Sequence, residues 1–195
     1  MKIKTYVFAS LLLTMFLGSQ AKADSASSRE YQVKAAFLYN FIMFVDWPQG
    51  KIANNDEPVV IGIIGDDPFD NAFDPIKNKQ AESRKIVIKR FEGLEELKKS
   101  GQAQLDKKIE AIRGCHLLFI CRSEKNVVNE IINLLKDSNV LAIGDMEGFL
   151  ESDGGIINFT LQDEKVRFEV DLGAARQANL KIRSQLLKLA QRVVG

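Results

Sequence analysis

Hydrophobic positions along the chain change period several times, and each change marks an element. Between Arg29 and Asp46, Val33, Ala36, Phe37, Phe41, Phe44 and Val45 recur at helical spacing, while Leu38, Ile42 and Met43 widen the stripe. The helix so predicted is apolar around most of its circumference. Such breadth fits burial on two sides or a face that receives a partner. Trp47-Pro48 ends it, because a residue before proline is pushed out of the helical region.

Beyond that point strand and helix patterns alternate. Val59 to Ile64 is a continuous strand-like run, followed by Gly65-Asp66-Asp67-Pro68, where Asp67 can cap and Pro68 can open a helical segment. Lys85 to Phe91 reads as a second strand and Gly93 to Ser100 as a short helix. His116 to Cys121 reads as a third strand, Ser123 as the cap of a helix reaching about Asp137, and Val140 to Ile143 as a fourth strand ending at Gly144-Asp145. Strands joined through helices imply right-handed crossovers and a largely parallel sheet. The tail differs. Gly155 to Leu161 and Val166 to Leu172 flank the polar turn Gln162 to Lys165 and predict an antiparallel hairpin. Ala174 to Asn179 suits a helical turn. Ile182 to Val194 predicts a final amphipathic helix with Leu186, Leu187, Leu189, Ala190 and Val193 inward. The expected fold class is one α/β domain, a mixed and largely parallel sheet flanked by helices, with a C-terminal antiparallel hairpin and a terminal helix.

The N-terminus changes the picture of where the domain works. Lys2 and Lys4 precede the apolar run Val7 to Leu17, and Ala21-Lys22-Ala23 has the small-x-small form of a cleavage site. Residues 1–23 therefore read as a cleavable export signal, with the working chain beginning at Asp24 as one domain over residues 24–195. The apolar run is too short to span a bilayer, which needs roughly 20 residues, so no membrane anchor of its own is expected. Without a lipid-accepting cysteine or twin arginine there, the expected destination is the periplasm. Losing Lys2, Lys4 and Lys22 takes the formal net charge from +1 to −2, which offers no basic field for nucleic acid. About 170 remaining residues suit a single core.

Candidate chemistry is sparse. Cys115 and Cys121 are the two cysteines. On an extended strand their Cα atoms lie about 20 Å apart, beyond the roughly 7 Å a disulfide tolerates, and period 2 puts both on one face. His116 is the single histidine, which excludes two-histidine metal sites, and alternation points it away from Cys115. No G-x-S-x-G elbow occurs. Asp66, Asp67, Asp70 and Asp74 lack the interleaving and glycine of a calcium loop. Asp66-Asp67 could suggest a phosphoacceptor receiver, but the third strand ends in Cys121-Arg122-Ser123 without an acceptor aspartate. No catalytic residue, metal or cofactor is expected. In open parallel sheets ligands bind beyond the strand carboxyl ends. Asp66, Arg122, Ser123 and Asp145 are therefore candidates for a small polar ligand, with Arg167 and Arg183 as further anion contacts. The competing reading makes Asp67 and Ser123 plain caps and Asp145 a turn residue.

Four segments, YQVKAAFLYNFIMFVDWP, VVIGIIGDDPF, CHLLFICRSE and the run from Val140 to Ala190, together resemble the YfiR-type periplasmic proteins. F-x-x-F-V-x-W-P, G-G-x-I-N-F and S-Q-L-L-x-L-A carry the resemblance in combination. It implies an α/β domain that binds a protein and performs no chemistry. The implied partner is the periplasmic sensor portion of a membrane-anchored diguanylate cyclase, or a similar inner-membrane signalling protein, with repression of cyclic-di-GMP output and biofilm formation. Some relatives carry additional, bridging cysteines that this chain lacks. Tyr39, Met43, Phe44 and Trp47 on the broad apolar helix are the candidate partner contacts. The same face would suit a homodimer. The alternative is a periplasmic sensor of a nucleotide, amino acid or anion.

Overall fold

The computed structural model describes residues 27–51, 57–76, 80–81, 84–151 and 154–195. The expected export signal at 1–23 and the start at Asp24 lie outside these residues. Helix α1 spans 27–44. It is followed by β1 (Val45–Asp46), β2 (Val59–Ile64), β3 (Gln80–Ala81), β4 (Arg84–Phe91), α2 (Leu94–Lys99), α3 (Gln102–Arg113) and β5 (Leu117–Ile120). A 3-10 segment over Arg122–Val127 leads into α4 (Val128–Leu134), then β6 (Leu141–Gly144), β7 (Ile157–Gln162), β8 (Lys165–Asp171), α5 (Leu172–Gln177), β9 (Lys181–Ile182), α6 (Ser184–Leu187) and β10 (Arg192–Val194).

Among the described residues one sheet has the order β10-β8-β7-β6-β5-β2-β4-β3, and β1 pairs with β9 in a separate two-stranded ribbon. β4, β2, β5, β6 and β7 run parallel. β8 returns antiparallel to β7 through the expected hairpin, with Gln162 opposite Lys165. The fold class read from the sequence is thus the one observed. β2 and β5 are buried at every position, as sheet strands covered on both faces must be.

Each face of the sheet has its own core. One lies under α1 and the 69–76 turns and includes Leu38, Phe41, Phe69, Phe119, Phe159 and Phe168. The other lies under α2, α3 and α4 and includes Leu94, Leu97, Leu118, Ile131 and Phe149. The width of the α1 stripe follows: Leu38, Phe41 and Ile42 are buried, and Phe37, Tyr39, Met43 and Phe44 lean half-buried against the same core.

Several local expectations change. α1 stops at 44, because Val45–Asp46 pairs with Lys181–Ile182. The terminal helix is confined to Ser184–Leu187. Arg192–Val194 instead joins the sheet parallel to β8, leaving Leu189 62% and Val193 42% exposed. α3 is an element the sequence reading does not name: Leu105, Ile109 and Ile112 share helical spacing, but only Ile112 along it is fully buried. Asp67 Oδ1 does accept from the Phe69 N–H at 2.8 Å, but turns rather than a helix follow. Cys115 and Cys121 do not share a face. Cys115 precedes β5, where alternation no longer applies, and packs in the α2–α4 core, whereas Cys121 lies in the α1 core. Both are free thiols, and burial pushes Cys115 up to about 11 and Cys121 higher still, so neither is a ready nucleophile.

Candidate functional site at the ends of the sheet

The strand tips at the carboxyl end converge on a buried charge network. Asp145 follows β6, Arg122 follows β5, and the first turns of α1 lie over both. Lys34 Nζ reaches Asp145 Oδ2 at 2.5 Å, with both side chains 1% exposed, and also pairs with Glu30 one turn earlier. Tyr31 donates its hydroxyl to the same Oδ2 at 2.9 Å. Burial and the Asp145 charge raise the Tyr31 phenol well above its ordinary range, which keeps it a proton donor. Arg122 Nε donates to the Asp145 carbonyl at 2.8 Å and stands 3.4 Å from Oδ1. Lys34 also lies 4.3 Å from the Tyr31 ring centroid.

Through these contacts Asp145 and Arg122, both expected at a ligand site, instead tie α1 to the sheet. Lys34 is a member of this network that the sequence reading does not single out. Its signal is nonetheless present, since position 34 falls within the buried stripe formed by Tyr31, Ala35, Leu38, Phe41 and Ile42.

Asp66 and Ser123 meet at a second place, the cleft between the tips of β2, β5 and β4, which is where strand order reverses. The Asp66 N–H donates to Ser123 Oγ at 3.0 Å, so Ser123 serves the neighbouring loop. Gly65 has φ +98°, and a Cβ there would stand 2.4 Å from Ser123 Oγ, so this turn needs glycine. The buried Glu124 accepts from the Leu94 N–H at 2.8 Å and thereby fills the start of α2 with the chain's own carboxylate. Asp66, Glu92, Glu95 and Glu96 add further negative charge to the cleft. Arg90 is held by Asp67 at 2.5 Å. An anion is therefore disfavoured in this cleft, although the sequence-based expectation has Asp66 and Ser123 helping to hold a small polar ligand.

The other sequence candidates fall elsewhere. Arg167 is exposed on β8 opposite Thr160. Arg183 lies at the amino end of the sheet, where it holds Asp46 Oδ1 through Nε at 2.8 Å and donates from Nη1 to the Met43 carbonyl at 3.1 Å. Trp47 lies beside it, its ring 6.1 Å from that of His116 and nearly perpendicular. His116 Nδ1 accepts from the Val60 N–H at 3.0 Å and Nε2 faces the Lys51 carbonyl at 3.2 Å, which sets the neutral tautomer with its proton on Nε2. Burial and the Lys51 charge pull this imidazole down to about 4.

Among the described residues no cluster of metal-ligating side chains occurs, and no helix is long and apolar enough to cross a membrane. Structures similar to this chain include a conserved domain protein of Vibrio cholerae O1 biovar El Tor, at 10% identity and TM-score 0.49. It aligns over 69% of this chain and 54% of its own. Another is the ABC domain of a Streptococcus pneumonia protein in complex with L-Trp, at 9% identity and TM-score 0.48, over 70% of this chain and 56% of its own. The chain thus spans little more than half the length of these structures. No curated protein matches it. A family described as YfiR/HmsC-like matches residues 31–191, which takes in all but the first turn of α1 and nearly the whole sheet. The chain belongs to the YfiR/HmsC-like family.

Proposed function

We propose that this protein is exported to the periplasm and there represses a membrane-anchored diguanylate cyclase, or a similar inner-membrane signalling protein, by binding that protein's periplasmic domain. The observation that carries the reading is membership in the YfiR/HmsC-like family along almost the whole domain, which supports a periplasmic regulatory role in general. Two features agree with a binding role. At the strand tips Lys34 and Tyr31 are bonded to the Asp145 carboxylate, while Arg122, Ser123 and Glu124 are engaged with backbone groups, and these side chains serve the fold rather than converge on a reacting position. α1 presents Tyr39 and Met43 one turn apart, followed by Phe44 and Trp47, all packed on the core yet partly open to solvent. In the proposed mechanism this half-buried strip docks on the partner, and α1 is held rigid for docking by the Lys34–Asp145 pair at its start and the Arg183–Asp46 pair just beyond its end.

Capture tests the reading. The mature protein, immobilised, should retain an inner-membrane protein with a cyclase output domain from detergent-solubilised membranes. Retention should fall in a Tyr39→Ala/Met43→Ala variant of unchanged thermal stability. Recovery of no signalling protein by the wild type would overturn it.

A further inference from the structure

Beside the amino end of β6 a cavity of about 230 Å³ lies between α4 and α5, with Ile132, Leu135, Val140, Ile156, Ala174 and Ala178 forming its walls and floor. All of these but the half-buried Ala178 are buried. The rim is polar, since Lys136, Asp137 and Gln177 line the cavity and are exposed. Hydrogen bonds fix the walls to each other. Asn139, in the left-handed region at φ +55°, donates from Nδ2 to the Ala178 carbonyl at 3.0 Å, and the Ser138 N–H donates to the Leu135 carbonyl at 3.1 Å. Gly154, at φ +112°, closes up to α4, where a Cβ would stand 2.7 Å from an Ile132 methyl carbon. The cavity is therefore pre-formed, and a ligand entering it need not order its walls. Water inside would find hydrogen-bond partners only at the rim, so an apolar guest covers this surface better than solvent does. The rim charges of Lys136 and Asp137 are opposite and stay in water, which leaves no net field to select an ion.

We propose that this cavity binds a compact, uncharged apolar molecule of one ring, whose single polar group stays at the rim beside Gln177. The size fits: apolar cavities of roughly 150 Å³ already take up a benzene-sized guest, whereas pockets for drug-sized ligands run from about 300 Å³ upward. The site shares no residue with the α1 docking strip and is independent of the proposed function.

Protein carrying ¹³C-labelled isoleucine and valine methyl groups would be titrated with benzyl alcohol, and with glycerol as a polar probe that lacks an apolar body. The expected result is a saturable shift of the Ile132, Val140 and Ile156 methyl signals with benzyl alcohol, half-complete at about 1 mM or below. Glycerol should leave them in place, and Ile86 on β4, three strands away from β6, should not respond to either probe. Ala178→Leu fills the cavity from the α5 side and should weaken binding at least about tenfold. Should that variant fold poorly, Ala174→Val adds two methyl groups to the same wall and should act in the same direction. Shifts that do not saturate, that glycerol reproduces, that extend equally to Ile86, or that persist unchanged in the filled variants overturn the proposal. So does self-association that Ala178→Leu abolishes in sedimentation, since the occupant would then be a second copy of the chain.

Discussion

The two faces of the sheet solve the same burial problem differently. Under α2–α4 the core is aliphatic with two aromatic rings and no buried ion pair among the described residues; the buried Glu124 carboxylate is held by the Leu94 N–H, and the ion pairs stay at the rim, as in Lys98–Glu130 and Lys99–Glu96. Under α1 the core stacks Phe37, Phe41, Phe159 and Phe168 with ring centroids 5.1–6.0 Å apart, and into its carboxyl end it admits Lys34 and Asp145. An apolar face needs only volume and shape. A face with buried charges needs each partner in place, because removing one leaves the other desolvated and uncompensated. The α1 face is therefore the more exactingly specified half, and it carries the candidate docking strip.

Substitutions put that contrast at risk. The largest effect is expected from Lys34→Met, which strands Asp145 and should cost about 3–5 kcal/mol. Adding Asp145→Asn should restore a good part of the loss, since the uncompensated charge is removed. Urea unfolding of both variants with equal m-values checks this. On the other face Leu97→Ala, at a fully buried site, should cost about 2–5 kcal/mol with no partner substitution able to rescue it. Recovery in the first case and none in the second separates charge pairing from cavity formation.

A smaller effect distinguishes the amino end. His116 is held neutral, with its folded value depressed from 6.5 to about 4. Its contribution is therefore fully present above pH 6.5 and is lost as pH falls from 6.5 through 4, by roughly 3 kcal/mol at most. His116→Gln should flatten the melting temperature over that window, and an unchanged slope would show that another group carries the dependence. The smallest effect belongs to Arg192, half-exposed and bidentate to Glu169. Arg192→Ala should leave the melting temperature almost unchanged at low salt and indistinguishable from wild type at high salt.

The same contrast explains what the sequence could disclose. β2, β5 and β6 are short uninterrupted runs of apolar residues and glycine closed by turns, and the hairpin has alternation on both arms, so local pattern sufficed. The segment Ile182–Val194 has helical spacing, yet it yields one helical turn and an edge strand, because the free edge of β8 and the Gln191 N–H bond to the Phe168 carbonyl outweigh a short helix. α3 carries Leu105, Ile109 and Ile112 at helical spacing, a signal the sequence reading passes over because the stripe is narrow and only Ile112 along it is fully buried. At the strand tips, Asp66, Arg122, Ser123 and Asp145 do lie at the carboxyl ends as their sequence positions required. What could not be read was that Asp66 and Ser123 share one cleft while Arg122 and Asp145 share another contact set with Lys34, a division fixed by how α1 crosses the sheet.

If α1 presents this domain to an inner-membrane signalling protein, cellular cyclic-di-GMP is the quantity that must respond. It would be measured in a strain lacking the gene, complemented with wild type or with Tyr39→Ala/Met43→Ala at equal periplasmic abundance. Cyclic-di-GMP should rise on deletion, return to its starting level with wild type, and stay high with the α1 variant. A level unchanged by deletion, or restored equally by both proteins, would rule out regulation through this face.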